Sequence, residues 1–124
     1  MQINTDYLHD ATVFEIAIQI DHSGNRRLRV RMTCDTDCGC DELSNRNIDV
    51  LFDDPVIILA ELFGHMANAE EFNSWNDVTS ETMKRKLTRF TESGLPMPKH
   101  VVELVFHSGS VIEVACNDIQ FAIG

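Results

Sequence analysis

The chain has no apolar run long enough to cross a bilayer: its longest, Val56 to Ala60, falls far short of the roughly 20 residues that a membrane-spanning helix needs. Its opening, MQINTDYLHD, has neither a basic stretch nor an apolar core, so no secretory signal is read there and a reducing cytoplasm is the expected compartment. It also has no G-x-S-x-G, no G-x-G-x-x-G, no phosphate-cradling glycine loop and no H-E-x-x-H. The usual sequence grounds for an enzyme are therefore missing, and none is expected. No C-x-x-C is present, so a thioredoxin-type redox pair lacks its motif. Positive charge is scarce: 10 lysines and arginines stand against 20 acids, for a net charge of −10. That balance opposes direct binding to DNA or RNA, whose phosphates it would repel.

What is present reads as one domain spanning residues 1–124, with 44% hydrophobic and 24% charged residues, the range of an ordinary globular chain able to bury a core. Thr12 to Ile20 alternates, with Phe14, Ile16, Ile18 and Ile20 on one face and Val13, Glu15, Ala17 and Gln19 on the other. A turn over residues 21–25 leads to a second alternating strand, Arg26 to Thr33, with Leu28, Val30 and Met32 inward and Arg27, Arg29 and Arg31 outward. Ile48 to Phe52 reads as a short strand or an extended connection. Asp53-Asp54-Pro55 resembles a helix start, and Val56, Leu59, Phe63, Met66 and Ala67 recur at helical spacing, which predicts a helix from Pro55 to Ala69. Residues 70–77 read as a frayed continuation or a loop. A second helix is capped by Thr79 or Ser80, buries Met83, Leu87 and Phe90, and ends at Gly94. Three strands follow, Val101 to Phe106, Ser110 to Cys116, and a last one to Ile123, as a meander. The expected fold is α+β, in the order ββ(β)ααβββ, with two helices packed on one face of antiparallel sheet. The apolar meander would need its edge covered, and a second copy would supply that, so a homo-oligomer is expected.

The positive charges are clustered. Arg26, Arg27, Arg29 and Arg31 lie in the second strand and Lys84, Arg85, Lys86 and Arg89 in the second helix, with Arg46 and Lys99 the two remaining. If strand and helix adjoin, Arg27, Arg29, Arg31, Lys84, Arg85 and Arg89 form an anion or nucleotide site, since guanidinium forks and ammonium groups hold phosphate by charge-assisted hydrogen bonds. Phe72 and Trp75, set among polar residues, could stack on a base or anchor an interface. The plainer alternatives are arginines paired across the hairpin with Glu15 and other acids, a solvated helix face, and two core aromatics.

Cys34, Cys38 and Cys40 fall in one loop with Asp35, Asp37, Asp41 and Glu42, while Cys116 is distant. Four soft ligands, Cys34, Cys38 and Cys40 with Cys116 or with His22, His100 or His107, would make a closed zinc site, so zinc is the one cofactor the residues allow; plain cytosolic thiols are the simpler reading. Gly39 and Arg46 stand at the wrong positions for a calcium loop counted from Asp35. A Cys34 or Cys38 nucleophile with His22 is a further option that spacing does not test. Glu61 and His65, four apart, read as a helical ion pair before a metal or acid–base pair, and His9-Asp10 is a lone dipeptide without a metal-site context.

In size, acidity and lack of catalytic motifs the chain resembles the small stoichiometric inhibitors and sponges that phages encode against bacterial defences. That resemblance of composition implies a non-enzymatic binding protein. The first form expected is an inhibitor whose acidic surface, with Phe72 and Trp75, blocks the nucleic-acid-handling face of a partner protein. The second is an oligomeric sponge that sequesters a small anionic nucleotide through the arginine strand and the basic helix. A small zinc-binding domain or a Cys/His enzyme is the third.

Overall fold

A computed structural model describes residues 3–62 and 70–124. After a 3-10 turn, Thr5–Leu8, come β1 (Thr12–Ile20), β2 (Arg26–Thr33), β3 (Asn47–Asp53), β4 (Ile57–Glu61) and β5 (Glu70–Asn76), then α1 (Glu81–Glu92), β6 (His100–Phe106), β7 (Val111–Cys116) and β8 (Asp118–Ile123). The strands form one eight-stranded sheet in the order β4-β7-β6-β5-β1-β2-β3-β8, with every neighbouring pair antiparallel. The α+β expectation of two helices on one sheet face is thus overturned. The molecule is mostly antiparallel sheet, and α1 is the one α-helix among the described residues.

The sheet folds over on itself. Leu28, Val30 and Met32 of β2 and Ile48, Val50 and Phe52 of β3 share one buried core with Val102, Leu104 and Phe106 of β6 and Ile112, Val114 and Cys116 of β7. Alternation makes this possible, because each of these strands sends every second side chain inward. The other face of the β6–β7–β4 half is covered by α1, whose Met83 and Leu87 pack on Ala115, Ile57, Leu59 and Val101. Ser80 caps that helix, its hydroxyl accepting from the Met83 N–H at 3.1 Å, and Gly94 ends it at a φ of +88°, as the residue types predict.

The helix expected from Pro55 to Ala69 is, over its first part, strand β4. Ile57 to Glu61 pairs with Ala115 to Val111, and the Val56 N–H donates to the Ala115 carbonyl at 2.8 Å. Val56, Ile57 and Ile58 are consecutive β-branched residues, which favour strand, and a five-residue apolar run fits helical spacing and a buried strand equally well. Phe63, His65, Met66 and Ala67, and with them the Glu61–His65 pair, lie outside the described residues. Residues 70–77, expected as a frayed continuation of the helix or a loop, instead carry β5, which joins the two halves of the sheet by pairing with β6 along its length and with β1 at Thr12 and Val13.

The closing meander is also corrected. β6 and β7 pair, but β8 leaves β7 and pairs with β3, so the strand beside β7 is β4. The switch is made at Asn117, whose N–H donates to the Asp53 carbonyl and whose side-chain amide donates to Asp54 at 2.7 Å. In β1 a bulge between Val13 and Glu15 breaks the alternation. Val13 and Ile16 therefore share the inner face with Met32 and Val30, while Phe14, expected beside Ile16, lies against the Arg31 guanidinium at 5.9 Å.

Candidate functional site

The arginines of β2 do not form an open positive site. Arg27, Arg29 and Arg31 stand on the outer face between β1 and β3: Arg31 lies opposite Glu15 and Asp49, Arg27 opposite Gln19 and Asp53, and Arg29, opposite Ala17 and Leu51, reaches Glu15 diagonally. Arg27 Nε donates to Asp53, Arg29 to Glu15, and Arg31 Nε to Asp49 at 2.9 Å, with Glu15 also 3.8 Å from Arg31. The Arg29 hydrogen bond holds the Glu15 carboxyl below its usual range, and the Asp53 bond raises Arg27 further. Arg29 Nε is screened from solvent and finds no acceptor among the described residues. Arg29 and Arg31 thus reach Glu15 across the hairpin, whereas Arg27, and Arg31 with its Nε, are held by Asp53 and Asp49 of β3.

Lys84, Arg85 and Arg89 of α1 are exposed, and Lys84 reaches Glu81 at 3.2 Å. Arg85, Lys86, Arg89 and Thr82 line a shallow depression, but all four belong to α1, so no second wall faces them. Because α1 covers the outer side of β7 while the β2 arginines lie on the outer side of the opposite half, the two basic segments are separated by the core within one protomer. Phe72 is 1% exposed and meets Phe106 edge-on at 5.9 Å. Trp75 is half-buried, stacked on Phe52 at 5.7 Å and beside Phe121 at 5.8 Å. Both aromatics pack with the core and neither is a free stacking platform.

The cysteines separate into two settings. Cys34 is buried and Cys38 and Cys40 are half-buried in the loop after β2, where Gly39, at a φ of +91°, lies 3.6 Å from the Tyr7 ring measured from an added Cβ. Burial, and then the neighbouring Cys38 and Cys40, push the Cys34 thiol up to about 11. Cys116 is buried on β7, where burial pushes its thiol up to about 12 and the carboxylates acting on it are Asp118, Asp53 and Asp54. The structure therefore brings three cysteines into one loop and leaves the fourth elsewhere. His100, on the strand paired with Cys116, is exposed, and His22 lies in the exposed β1–β2 turn. The four acids of the loop, Asp35, Asp37, Asp41 and Glu42, are all exposed. The loop that carries them is pinned by Thr36 to Asn45 at 2.8 Å and by the Ser44 hydroxyl to the Thr36 carbonyl at 2.8 Å.

A cluster that spacing concealed lies at the start of β1. His9 and Asp10 leave the 3-10 turn, and His107 leaves β6, so that one ligand atom of each falls within 4.8 Å of the others. Asp10 Oδ1 is 2.6 Å from His107 Nε2 and 3.4 Å from His9 Nε2, and the two rings meet edge to face at 5.3 Å. Three successive residues of β5 hold the three in place. The His107 N–H donates to the Glu71 carbonyl and the Asp10 N–H to the Phe72 carbonyl, both at 2.8 Å; the His9 Nδ1–H donates to the Asn73 carbonyl at 2.7 Å. Asn73 is the extra residue of a bulge in β5, a device that turns a peptide group out of the ladder.

A third feature is apolar. Ile16 and Ile18 of β1 and Ile58 and Ala60 of β4, with Leu62, line a groove of about 280 Å³ where the two halves of the sheet diverge, and Ile18 remains 61% exposed. Among the described residues, no titratable group lines it. The chain matches no protein-family model, no curated protein and no solved structure. No described helix is long and apolar enough to cross a membrane.

Proposed function

We propose that this chain is a non-enzymatic binding protein whose acidic surface docks on the basic, nucleic-acid-handling face of a partner protein. The observation that carries this reading is the ion-pair ladder of Arg27, Arg29 and Arg31 with Asp53, Glu15 and Asp49. The same pairing argues against the nucleotide sponge, because an anion entering at β2 would have to displace carboxylates already bonded to the guanidiniums. With those arginines occupied, the surplus of 20 acids over 10 basic residues faces outward, most densely at Asp35, Asp37, Asp41 and Glu42 in the pinned loop.

Such a surface mimics the charge of a nucleic acid and competes with it for lysines and arginines. Opposite potentials also steer the encounter, so association is fast at low salt and slows as salt screens it. The test is displacement: a fluorescent duplex is bound to a basic DNA-binding protein, the chain is titrated in, and anisotropy reports release. Release by the wild type, lost in the Asp35→Lys, Asp37→Lys, Asp41→Lys, Glu42→Lys variant and weakened at high salt, is the expected result. Release by both proteins alike, or by neither across a panel of basic DNA- and RNA-binding proteins, would overturn the proposal.

A further inference from the structure

We propose that His9, Asp10 and His107 form a binding site for a borderline divalent transition-metal ion of the zinc class. The site is independent of the acidic docking surface. Two imidazoles and one carboxylate are the donor set that suits zinc, cobalt, nickel and iron(II), whereas calcium and magnesium prefer oxygen throughout. The geometry fits the chemistry. With bonds of about 2.0–2.1 Å, donors around a tetrahedral ion stand about 3.3 Å apart. The 3.4 Å from His9 Nε2 to Asp10 Oδ1 already meets that spacing. The 2.6 Å from Asp10 Oδ1 to His107 Nε2 is the length of a hydrogen bond, so the ion takes the place of the proton shared there, and the carboxylate turns to open the gap.

The surroundings support the ligands as a metal site requires. A metal-bound histidine commonly donates its other ring N–H to a carbonyl, which fixes both tautomer and ring orientation. His9 does this through Nδ1 to Asn73, so in the neutral ring Nε2 carries the lone pair and faces Asp10. Asp10 is held at a φ of +65°, a conformation that few non-glycine residues adopt, and its backbone hydrogen bond to Phe72 keeps it there. All three ligands thus hang from Glu71, Phe72 and Asn73 of one strand, a preorganised arrangement on sheet rather than on a free loop. The three side chains are exposed, so an ion bound here keeps at least one position for water or for a group from a partner.

The test uses the full chain, stripped with chelator and titrated with zinc by calorimetry, alongside a Cys38→Ser, Cys40→Ser variant that removes the competing thiols. One zinc per chain is expected in both proteins. His107→Gln, whose amide can still donate to Asp10 and so preserve the local contact, is expected to weaken binding at least tenfold, as is Asp10→Asn. Cobalt in place of zinc is expected to give visible ligand-field bands without thiolate-to-metal charge transfer. Zinc binding that vanishes with the two cysteines, binding that survives His107→Gln unchanged, or no saturable binding to the wild type would each overturn the site. Circular dichroism of each variant separates lost ligation from lost fold.

Discussion

Replacing Phe72 by alanine separates a core aromatic from a surface platform by a wide margin. The side chain is 1% exposed, its ring meets Phe106 at 5.9 Å, and its backbone joins β5 to the start of β1 through both its N–H and its carbonyl. Deleting the ring removes a large buried apolar surface and leaves a cavity between strands that are fixed on both sides and collapse poorly. The expected loss is about 3–5 kcal/mol, the range for a buried phenylalanine truncated to alanine. For a chain of this length each kcal/mol lowers Tm by about 4 °C, so Tm should fall by ~12–20 °C. Urea unfolding followed by fluorescence supplies the free energy, and a shifted midpoint with an unchanged slope would assign the loss to the folded state. A surface aromatic would change stability by no more than about 0.5 kcal/mol. A measured loss below about 1 kcal/mol would refute the buried position of Phe72 and reopen its reading as a stacking residue.

Three further outcomes follow from named contacts. Ser80→Ala removes the acceptor for the Met83 N–H and should destabilise the protein by about 1 kcal/mol, with Ser80→Asp restoring most of it in the same urea assay. Cys38 and Cys40 should react with a thiol reagent in the folded state before Cys34 and Cys116, whose thiols are pushed up to about 11 and about 12; equal rates at all four would contradict the buried placement. The same two thiols set an alkaline limit. Each stays neutral in the folded chain while the unfolded chain ionises from its ordinary value of 9.0, so their contribution is undiminished below pH 9 and stability falls as pH rises from there toward 11, more steeply than in a Cys34→Ala, Cys116→Ala control.

The strands that alternate cleanly were legible. β2 and β6 carry apolar residues at every second position, and the helix at Glu81–Glu92 carries a cap, a buried stripe and a closing glycine; β3, read as a short strand or an extended connection, was legible in part. What escaped has physical causes. The run Val56 to Ala60 is too short for period alone to separate helix from strand, and β-branching should have decided it. β5 reads as a frayed helix end or a loop because its residues Asn73, Ser74 and Asn76 are polar and its bulge disrupts alternation. The exchange of partners at Asn117 depends on contacts with Asp53 and Asp54 that no local pattern reveals.

The candidate-site residues divide in the same way. Pairing of Glu15 with the β2 arginines was readable from a hairpin register, whereas the separation of β2 from α1 by the core needed the topology. The His9, Asp10 and His107 cluster had no motif to find, since its members are separated by 97 residues between Asp10 and His107 and converge through β5. A histidine beside an aspartate at a strand start was its sole trace.

The most direct test of the account is whether the β2 arginines are occupied. Nitrogen-15 spectra of the arginine side chains, recorded while phosphate and then a nucleotide are added, would report it residue by residue. The Nε–H signals of Arg27 and Arg31, bonded to Asp53 and Asp49, are expected to exchange slowly with solvent and to stay unmoved on titration. Saturable shifts at Arg27, Arg29 and Arg31 would show that an anion displaces the carboxylates, contradicting the acidic-docking reading and restoring the arginine strand as a ligand site.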